Sequence, residues 1–148
     1  LSRSISEKSV MSVKEDPEVL LRGVTIWRQL YAREFLMQNN LRLPDVHWGE
    51  DAVFTTQAFL LANRIAVVHE PVYFYSLGAW NTATNLGKRV FDIFKSHDIL
   101  EEFLKSRDLY DEYSAIFTRL VSKNITIFSV KFLSGEHFRN IYHPSDVK

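Results

Sequence analysis

The spacing of hydrophobic and polar positions predicts three helices in the first half of the chain. Asp16-Pro17-Glu18 has the composition of a helix start, with Asp as N-cap and Pro at the first helical position, and this short helix should end at Gly23. A second helix is predicted from about Thr25 to Asn39, where consecutive asparagines tolerate the left-handed turn that stops a helix. A third is predicted over Ala52 to Ala62, after a loop from Val46 to Asp51.

Three short runs have the alternation, or the β-branched and aromatic composition, that is typical of strands. Leu41-Arg42-Leu43-Pro44 alternates and is stopped by its proline, as an edge strand would be. Ile65–His69 and Val72–Ser76 are separated by Glu70-Pro71 and are predicted as two strands joined at a proline kink. The polar segment from Leu77 to Asn85 is predicted as a loop.

Residues 86–135 are predicted to form a pair of long amphipathic helices that break near Ser106–Asp108 and end at Gly135. The apolar face of the first helix comprises Leu86, Val90, Ile93, Phe94, His97, Leu100 and Leu104. That of the second comprises Tyr113, Ile116, Phe117, Leu120, Val121, Asn124, Phe128 and Phe132. The segments around these regions are a loop or tether over 1–16, with a strand-like turn around Val10–Val13, and a weakly ordered tail over 136–148.

The predicted fold is a helix-rich α/β arrangement in which two or three short strands pack on helices. One core is expected between the second and third helices and the strand pair, formed by Trp27, Phe35, Phe54, Phe59, Val67 and Tyr73. So few strands cannot make a complete parallel α/β domain, and the chain begins with Leu, so we expect a partner half to be absent. Its loss should leave an apolar or strand-edge surface near Leu41–Leu43 and Ile65–Tyr75.

Composition and charge narrow the classes of function. The 148 residues carry 18 basic and 18 acidic side chains, without the basic excess that a nucleic-acid binder uses to neutralise phosphates. The chain has no cysteine, which excludes disulfides and thiolate chemistry and fits a reducing compartment. No apolar run approaches the ~18 residues that span a membrane, and the first residues lack the apolar core of a signal peptide.

The candidate chemistry lies in His47-Trp48-Gly49-Glu50-Asp51, where two carboxylates adjoin the start of the third predicted helix. One interpretation is a helix cap, because acidic side chains satisfy free N–H groups and the positive end of the helix dipole. The other is a general base, because a carboxylate at a helix end is rigidly held and exposed at its tip.

Five short motifs follow one another in this region. They are Trp27, Leu30-Tyr31-Ala32-Arg33-Glu34-Phe35-Leu36, Leu41-Arg42-Leu43-Pro44, Glu50-Asp51 and Pro71-Val72-Tyr73-Phe74-Tyr75. In this order and at this spacing they resemble the second half of a family 2 glycosyltransferase with the GT-A fold. The resemblance covers about Leu20 to Thr84, and it implies that 17–85 is the acceptor-side half of such a domain, followed by a helical extension over 86–135.

The resemblance implies that Asp51 is the catalytic base, which takes the proton of an acceptor hydroxyl as that oxygen attacks a nucleotide sugar with inversion. Glu50 would then contact acceptor or sugar hydroxyls. Trp48 is expected to stack on a sugar ring, and His47 lies beside the same cleft in the sequence. Trp80 is interpreted either as a packing lid or as a ligand contact.

The family's nucleotide and its divalent cation, Mg²⁺ or Mn²⁺, are held by an N-terminal half that ends in an Asp-x-Asp motif. This chain has neither that motif nor a Gly-rich phosphate loop, so the metal ligands are expected outside it. The resemblance therefore implies an inactive fragment of an enzyme for polysaccharide or cell-surface glycan synthesis, with a nucleotide-sugar donor and a glycan or lipid-linked acceptor. The expected location is the cytoplasm or the cytoplasmic face of the membrane.

Two other interpretations remain open. The chain could be a non-catalytic helical interaction module in which Asp51 is only a cap. It could also contact a membrane peripherally, because Arg119, Lys123, Lys131 and Arg139 form a basic series on an aromatic-rich helix, although a solvated helix face explains that series as well. Among the histidines, His97 is interpreted as a satisfied core residue, and Trp27 as a core anchor.

Overall fold

The computed structural model describes residues 10–22, 25–71, 73–74 and 91–133. Within these ranges it is helix-rich with one small sheet, which agrees with the helix-rich α/β expectation. The elements in chain order are β1 (Val10–Met11), α1 (Val19–Arg22), a 3₁₀ helix (Ile26–Arg28), α2 (Arg33–Gln38), α3 (Glu50–Leu61), β2 (Ile65–Ala66), α4 (Asp92–Ser106) and α5 (Tyr110–Leu133). None of the described helices is both long enough and apolar enough to cross a membrane.

The sheet joins the start of the described chain to the residues that follow α3. Strands β1 and β2 are antiparallel, with Val10 opposite Ala66 and Met11 opposite Ile65. Met11 and Val13, which lie in the segment that the sequence suggested as a loop or tether with a strand-like turn, are buried in the core. The strand-like turn expected around Val10–Val13 is strand β1.

The predicted edge strand at Leu41–Leu43 is wrong. In the described chain β2 pairs with β1, and residues 41–43 have no strand partner. Leu41 is buried against Phe54 and Ala58, whereas Leu43 is exposed, so the alternation that suggested a strand reflects one buried leucine in a loop. The predicted strand over 65–69 shortens to β2, and most of Val72–Ser76 and all of Leu77–Asn85 lie outside the described residues.

The predicted helix from Thr25 to Asn39 is broken in two. Gln29 and Ala32 are extended, with φ/ψ of −130°/149° and −64°/127°, and they separate the 3₁₀ helix from α2. The break lets Tyr31 meet Phe54 edge to face, with ring centroids 5.2 Å apart and planes at 81°. In a continuous helix the position of the Tyr31 ring would be set by the helical turn. The contact with Phe54 therefore accounts for the break in the predicted helix.

The predicted stop of that helix is confirmed. Asn40 has a left-handed φ of 51°, its N–H donates to the Met37 carbonyl, and the Leu41 N–H donates to the Leu36 carbonyl at 2.9 Å. These two bonds form a Schellman motif, which satisfies carbonyls at the end of α2. The break between α4 and α5 is confirmed in the same way, with Asp108 at φ 56°.

The predicted single core is wrong, because its six residues divide between separate places. Phe54 is 5% exposed and forms one cluster with Leu41 and Ala58, with Phe35 packed against it. Phe59 and Val67 pack instead on a cluster built around Met11, Val13, Val19, Leu20, Leu104, Tyr113 and Ile116. Trp27 and Tyr73 are 43% and 48% exposed and pair with each other, with ring centroids 4.6 Å apart, so Trp27 is not a core anchor.

Helix α5 is fastened to the α1 region by basic side chains. Arg119 forms a two-point ion pair with Glu18, one of whose bonds is 2.9 Å long, and the Lys123 ammonium donates to the Leu21 carbonyl. These two members of the predicted basic series are therefore engaged within the chain. The side chains of Lys131 and Arg139 lie outside the described part.

Candidate functional site

The two candidate carboxylates lie inside the first turn of α3. The helix begins at Glu50, two residues before the predicted Ala52, and its N-cap is Gly49, whose φ of 86° is left-handed. Glu50 and Asp51 are both half-buried, and their charges lie near the positive end of the helix dipole. The dipole part of the cap interpretation therefore holds, but the N-cap position belongs to Gly49.

Asp51 is tied to a different element. The backbone N–H of Ile26, the first residue of the 3₁₀ helix, donates a hydrogen bond to the Asp51 carboxylate. Burial raises the pKa of Asp51 above its ordinary value, and the Ile26 hydrogen bond opposes that rise because it favours the charged form. The result is a half-buried carboxylate that is more basic than usual and fixed in orientation.

Glu50 lies in the same helix turn and is also half-buried. Burial raises the pKa of Glu50, and the adjacent Asp51 charge raises it further. The hydrogen bond from its own backbone N–H and the charge of His47 act in the opposite direction. The pKa of each side chain is therefore raised, so both hold a proton more readily than exposed acids do.

The loop that carries His47 and Trp48 is attached to the first turn of α4. The His47 N–H donates to Asp92 Oδ2 at 3.0 Å, and His47 Nδ1 lies 3.5 Å from the same oxygen. The hydroxyl of Ser96 donates to the Trp48 carbonyl. The four predicted residues His47, Trp48, Glu50 and Asp51 therefore occupy one continuous stretch between α4 and the 3₁₀ helix.

The structure adds Asp92, which the sequence did not single out. Asp92 is 5% exposed, and its Oδ1 accepts a 2.8 Å bond from Lys95 Nζ. The Lys95 hydrogen bond and the His47 N–H lower the pKa of Asp92, so its charge persists at neutral pH. It lies 45 residues from His47 in the sequence, and no local pattern connects the two.

Tyr31 is a second residue that the sequence did not assign to the site. Burial raises the pKa of its hydroxyl, and the charge of Asp51 adds to that rise, which places the tyrosine close to the carboxylate. The hydroxyl donates to the side-chain oxygen of Gln29. Tyr31 therefore interacts electrostatically with Asp51.

Two predicted features do not enter this geometry. Trp80 lies outside the described residues. Across the ranges that the structure describes, no three His, Asp or Glu side chains come together in a way that could hold a metal ion. The expectation that the ligands of the divalent cation lie outside this chain stays a prediction.

Comparison with known proteins gives one distant similarity. The chain is 26% identical over 121 residues to a cholesterol galactosyltransferase of Borreliella burgdorferi. The match covers 80% of this chain and 30% of the relative, so the chain spans less than a third of the length of the curated protein it matches. No profile of a known protein family matches the chain. No solved structure matches it.

The position of this match bears on the site. A match that covers 80% of a 148-residue chain includes its central part wherever it starts, so Glu50, Asp51 and Asp92 all lie within it. The comparison supports a distant relationship to a glycosyltransferase.

Proposed function

We propose that this chain is the acceptor-side part of an inverting, nucleotide-sugar-dependent glycosyltransferase of the family 2, GT-A type, with Asp51 as its catalytic base. The observation that carries the proposal is the state of Asp51. Its carboxylate is held by the Ile26 N–H, and burial raises its pKa, in a region similar to a galactosyltransferase. A general base needs both a fixed direction and a raised affinity for protons.

The proposed reaction is a single displacement. Asp51 accepts the proton of an acceptor hydroxyl while that oxygen forms a bond to the anomeric carbon of the donor sugar. The bond from that carbon to the diphosphate oxygen breaks, and the nucleoside diphosphate leaves from the opposite face with the electron pair. Because the Ile26 N–H already orients the carboxylate, little reorganisation is needed when the acceptor arrives.

The other residues of the stretch have supporting roles in this proposal. Glu50 binds a hydroxyl of the acceptor or of the transferred sugar, Trp48 offers an apolar ring to a sugar face, and His47 borders the cleft. Trp80 remains a proposed lid or ligand contact. The donor and its divalent cation are bound by another part of the same protein, which fits the 30% share of the relative that this chain spans.

The similarity supports a proposal for the class of acceptor. The relative is named for transfer of galactose to cholesterol, which is a lipid alcohol. We therefore propose an acceptor hydroxyl on a lipid or on a lipid-linked glycan, in synthesis at the cell surface, with the catalytic half working at the cytoplasmic face of the membrane.

A second candidate function is a non-catalytic interaction module. The hydrogen bond between the Ile26 N–H and Asp51 favours it, because that bond also fastens the 3₁₀ helix to α3 without any chemistry. In this case the Asp51 carboxylate only links the two elements and stabilises the fold.

The two functions are separated by Asp51→Asn in the full-length protein. The amide oxygen of Asn can still accept from the Ile26 N–H, but the side chain cannot take a proton at neutral pH. If Asp51 is the base, sugar transfer falls by about 10²–10⁴-fold, while donor binding and melting temperature change little. Asp45→Asn is the matched control, since Asp45 is an exposed acid in the preceding loop. Near-normal kcat in Asp51→Asn would remove the catalytic assignment and favour the interaction module.

A further inference from the structure

We propose that Asp92 is the positioning residue of this site and that the first turn of α4 belongs to the catalytic unit. The inference rests on the proposed function, in which Asp51 is the base. Asp92 and Ser96 hold the His47–Gly49 loop, and that loop fixes where α3, and with it Asp51, begins. In this proposal helix α4 helps to position the site residues. The sequence, in contrast, suggested that 86–135 is a helical extension that follows the domain.

Asp92 uses both carboxylate oxygens, and each has a separate partner. Oδ2 accepts the His47 N–H at 3.0 Å, and Oδ1 accepts from Lys95 Nζ at 2.8 Å. An almost fully buried carboxylate is stable only when its charge is compensated and its lone pairs are used. Lys95 compensates the charge from the solvent side, which leaves Oδ2 to fix the backbone of His47.

A second attachment lies one turn further along α4. The Ser96 hydroxyl donates to the Trp48 carbonyl, and Gly49 approaches so closely that a β-carbon there would lie 2.8 Å from Ser96 Cβ. Three consecutive loop residues, His47 to Gly49, are thus held by two side chains of one helix turn. Such a contact fixes both the distance and the rotation of the loop against α4.

The attachment reaches Asp51 through a short covalent path. The Gly49 carbonyl accepts the Val53 N–H at 2.9 Å, which is the first hydrogen bond of α3. A shift of Gly49 therefore shifts the first turn, and Asp51 is only two residues away. On its other side the Asp51 carboxylate is held by Ile26, so the base is located between two attachments. Loss of one should turn the carboxylate away from the acceptor while the helix itself persists.

The test compares Asp92→Ala with Asp92→Asn in the full-length protein, with Glu102→Ala, an exposed acid on the same helix, as the control. For Asp92→Ala we expect kcat to fall on the order of 10–10²-fold, as misplacement of a reacting group by about 1 Å does, with the donor KM unchanged. Asp92→Asn should recover much of the loss, since its amide oxygen can still accept the His47 N–H. Hydrogen exchange of the His47 amide should quicken in Asp92→Ala and return toward the wild-type rate in Asp92→Asn.

Each outcome bears on one claim. Unchanged kcat in Asp92→Ala, while Asp51→Asn abolishes transfer, would overturn the positioning role alone. Faster exchange at His47 without any loss of kcat would overturn it too, because the attachment would then serve only stability. Normal transfer in Asp51→Asn would instead overturn the proposed function. If Asp92→Ala does not fold, the activities of Asp92→Asn and Asp92→Leu are compared instead. A positioning role requires Asp92→Asn to be the more active of the two, because leucine cannot accept the His47 N–H.

Discussion

A β-carbon added to Gly49 would lie 2.8 Å from both the Cβ and the Oγ of Ser96. The backbone of Gly49 has a φ of 86°, which residues with a side chain rarely adopt. Glycine is thus required here for two independent reasons, the left-handed backbone and the close approach of α4. Gly49 is therefore the place where the site loop, the start of α3 and helix α4 meet.

Gly49→Ala should destabilise the protein by about 2–4 kcal/mol, the combined cost of a left-handed backbone and an overpacked contact. Chemical denaturation of the variant measures this loss. In a Ser96→Gly background the steric part disappears, so the same substitution should cost less, leaving only the backbone part. Equal losses in both backgrounds would show that Ser96 does not limit the space at Gly49.

Phe54→Ala should cost about 3–5 kcal/mol in free energy of unfolding, as large-to-small core substitutions do. Phe54 is buried against Leu41 and Ala58 and packs edge to face with Tyr31, so its truncation removes contacts with all three side chains. Leu30→Ala is the control, because Leu30 is fully exposed, and it should change stability by less than about 0.5 kcal/mol. A loss under ~1 kcal/mol for Phe54→Ala would contradict the observed core.

Stability should fall as the pH drops below about 6.5, the ordinary pKa of histidine, because of His97. His97 is 8% exposed, which confirms the prediction that it is a core residue. Its Nε2 has no hydrogen-bond partner, so the prediction that its hydrogen bonds are satisfied is wrong. Burial lowers the pKa of His97, and the charge of Asp98 opposes this only in part. The unfolded state therefore binds the proton first, which favours unfolding between the ordinary pKa and the lowered one.

His97→Gln tests this linkage, because glutamine is polar but does not titrate. Urea unfolding at pH 7.5 and at pH 5.5 should show a smaller stability difference in the variant than in the wild type. The raised pKa values of Glu50 and Asp51 act with the opposite sign and at lower pH. An unchanged difference in His97→Gln would assign the acid sensitivity to other groups.

The isolated chain should self-associate. Large apolar side chains are exposed where a missing half was expected to pack, namely Leu43, Val68, Tyr73 and Phe74. Exposed apolar side chains favour association of copies, so sedimentation should show an average mass that rises with concentration. Leu43→Lys with Val68→Lys should reduce that rise. A stable, monodisperse wild-type monomer would favour the interaction module.

Local signals in the sequence predicted the elements whose boundaries depend on local chemistry. The Asn40 turn was predicted because Asn tolerates a left-handed backbone, and the break near Asp108 was predicted from the change in the apolar pattern. The third helix was predicted from Ala52 and begins two residues earlier, at Glu50.

The sequence could not show the features that depend on distant partners. The helix predicted from Thr25 breaks because Tyr31 packs on Phe54, and Leu41 is buried by that same cluster and not by a strand. The role of Asp92 depends on His47, 45 residues away. The spacing of apolar residues indicates only which side of a helix or strand is apolar. It does not indicate which other element packs against that side.

The ion pair between Glu18 and Arg119 joins residues that are 101 positions apart. During translation, β1 and α1 are therefore synthesised long before α5. Met11 and Leu20 stay exposed to solvent until Tyr113 and Ile116 have been synthesised and can pack against them. Contacts of such long range slow folding, because the loop must close before burial rewards it. A chain whose synthesis stops before residue 119 should thus expose these apolar side chains and be prone to aggregate. The burial of the N-terminal residues therefore depends on completion of α5.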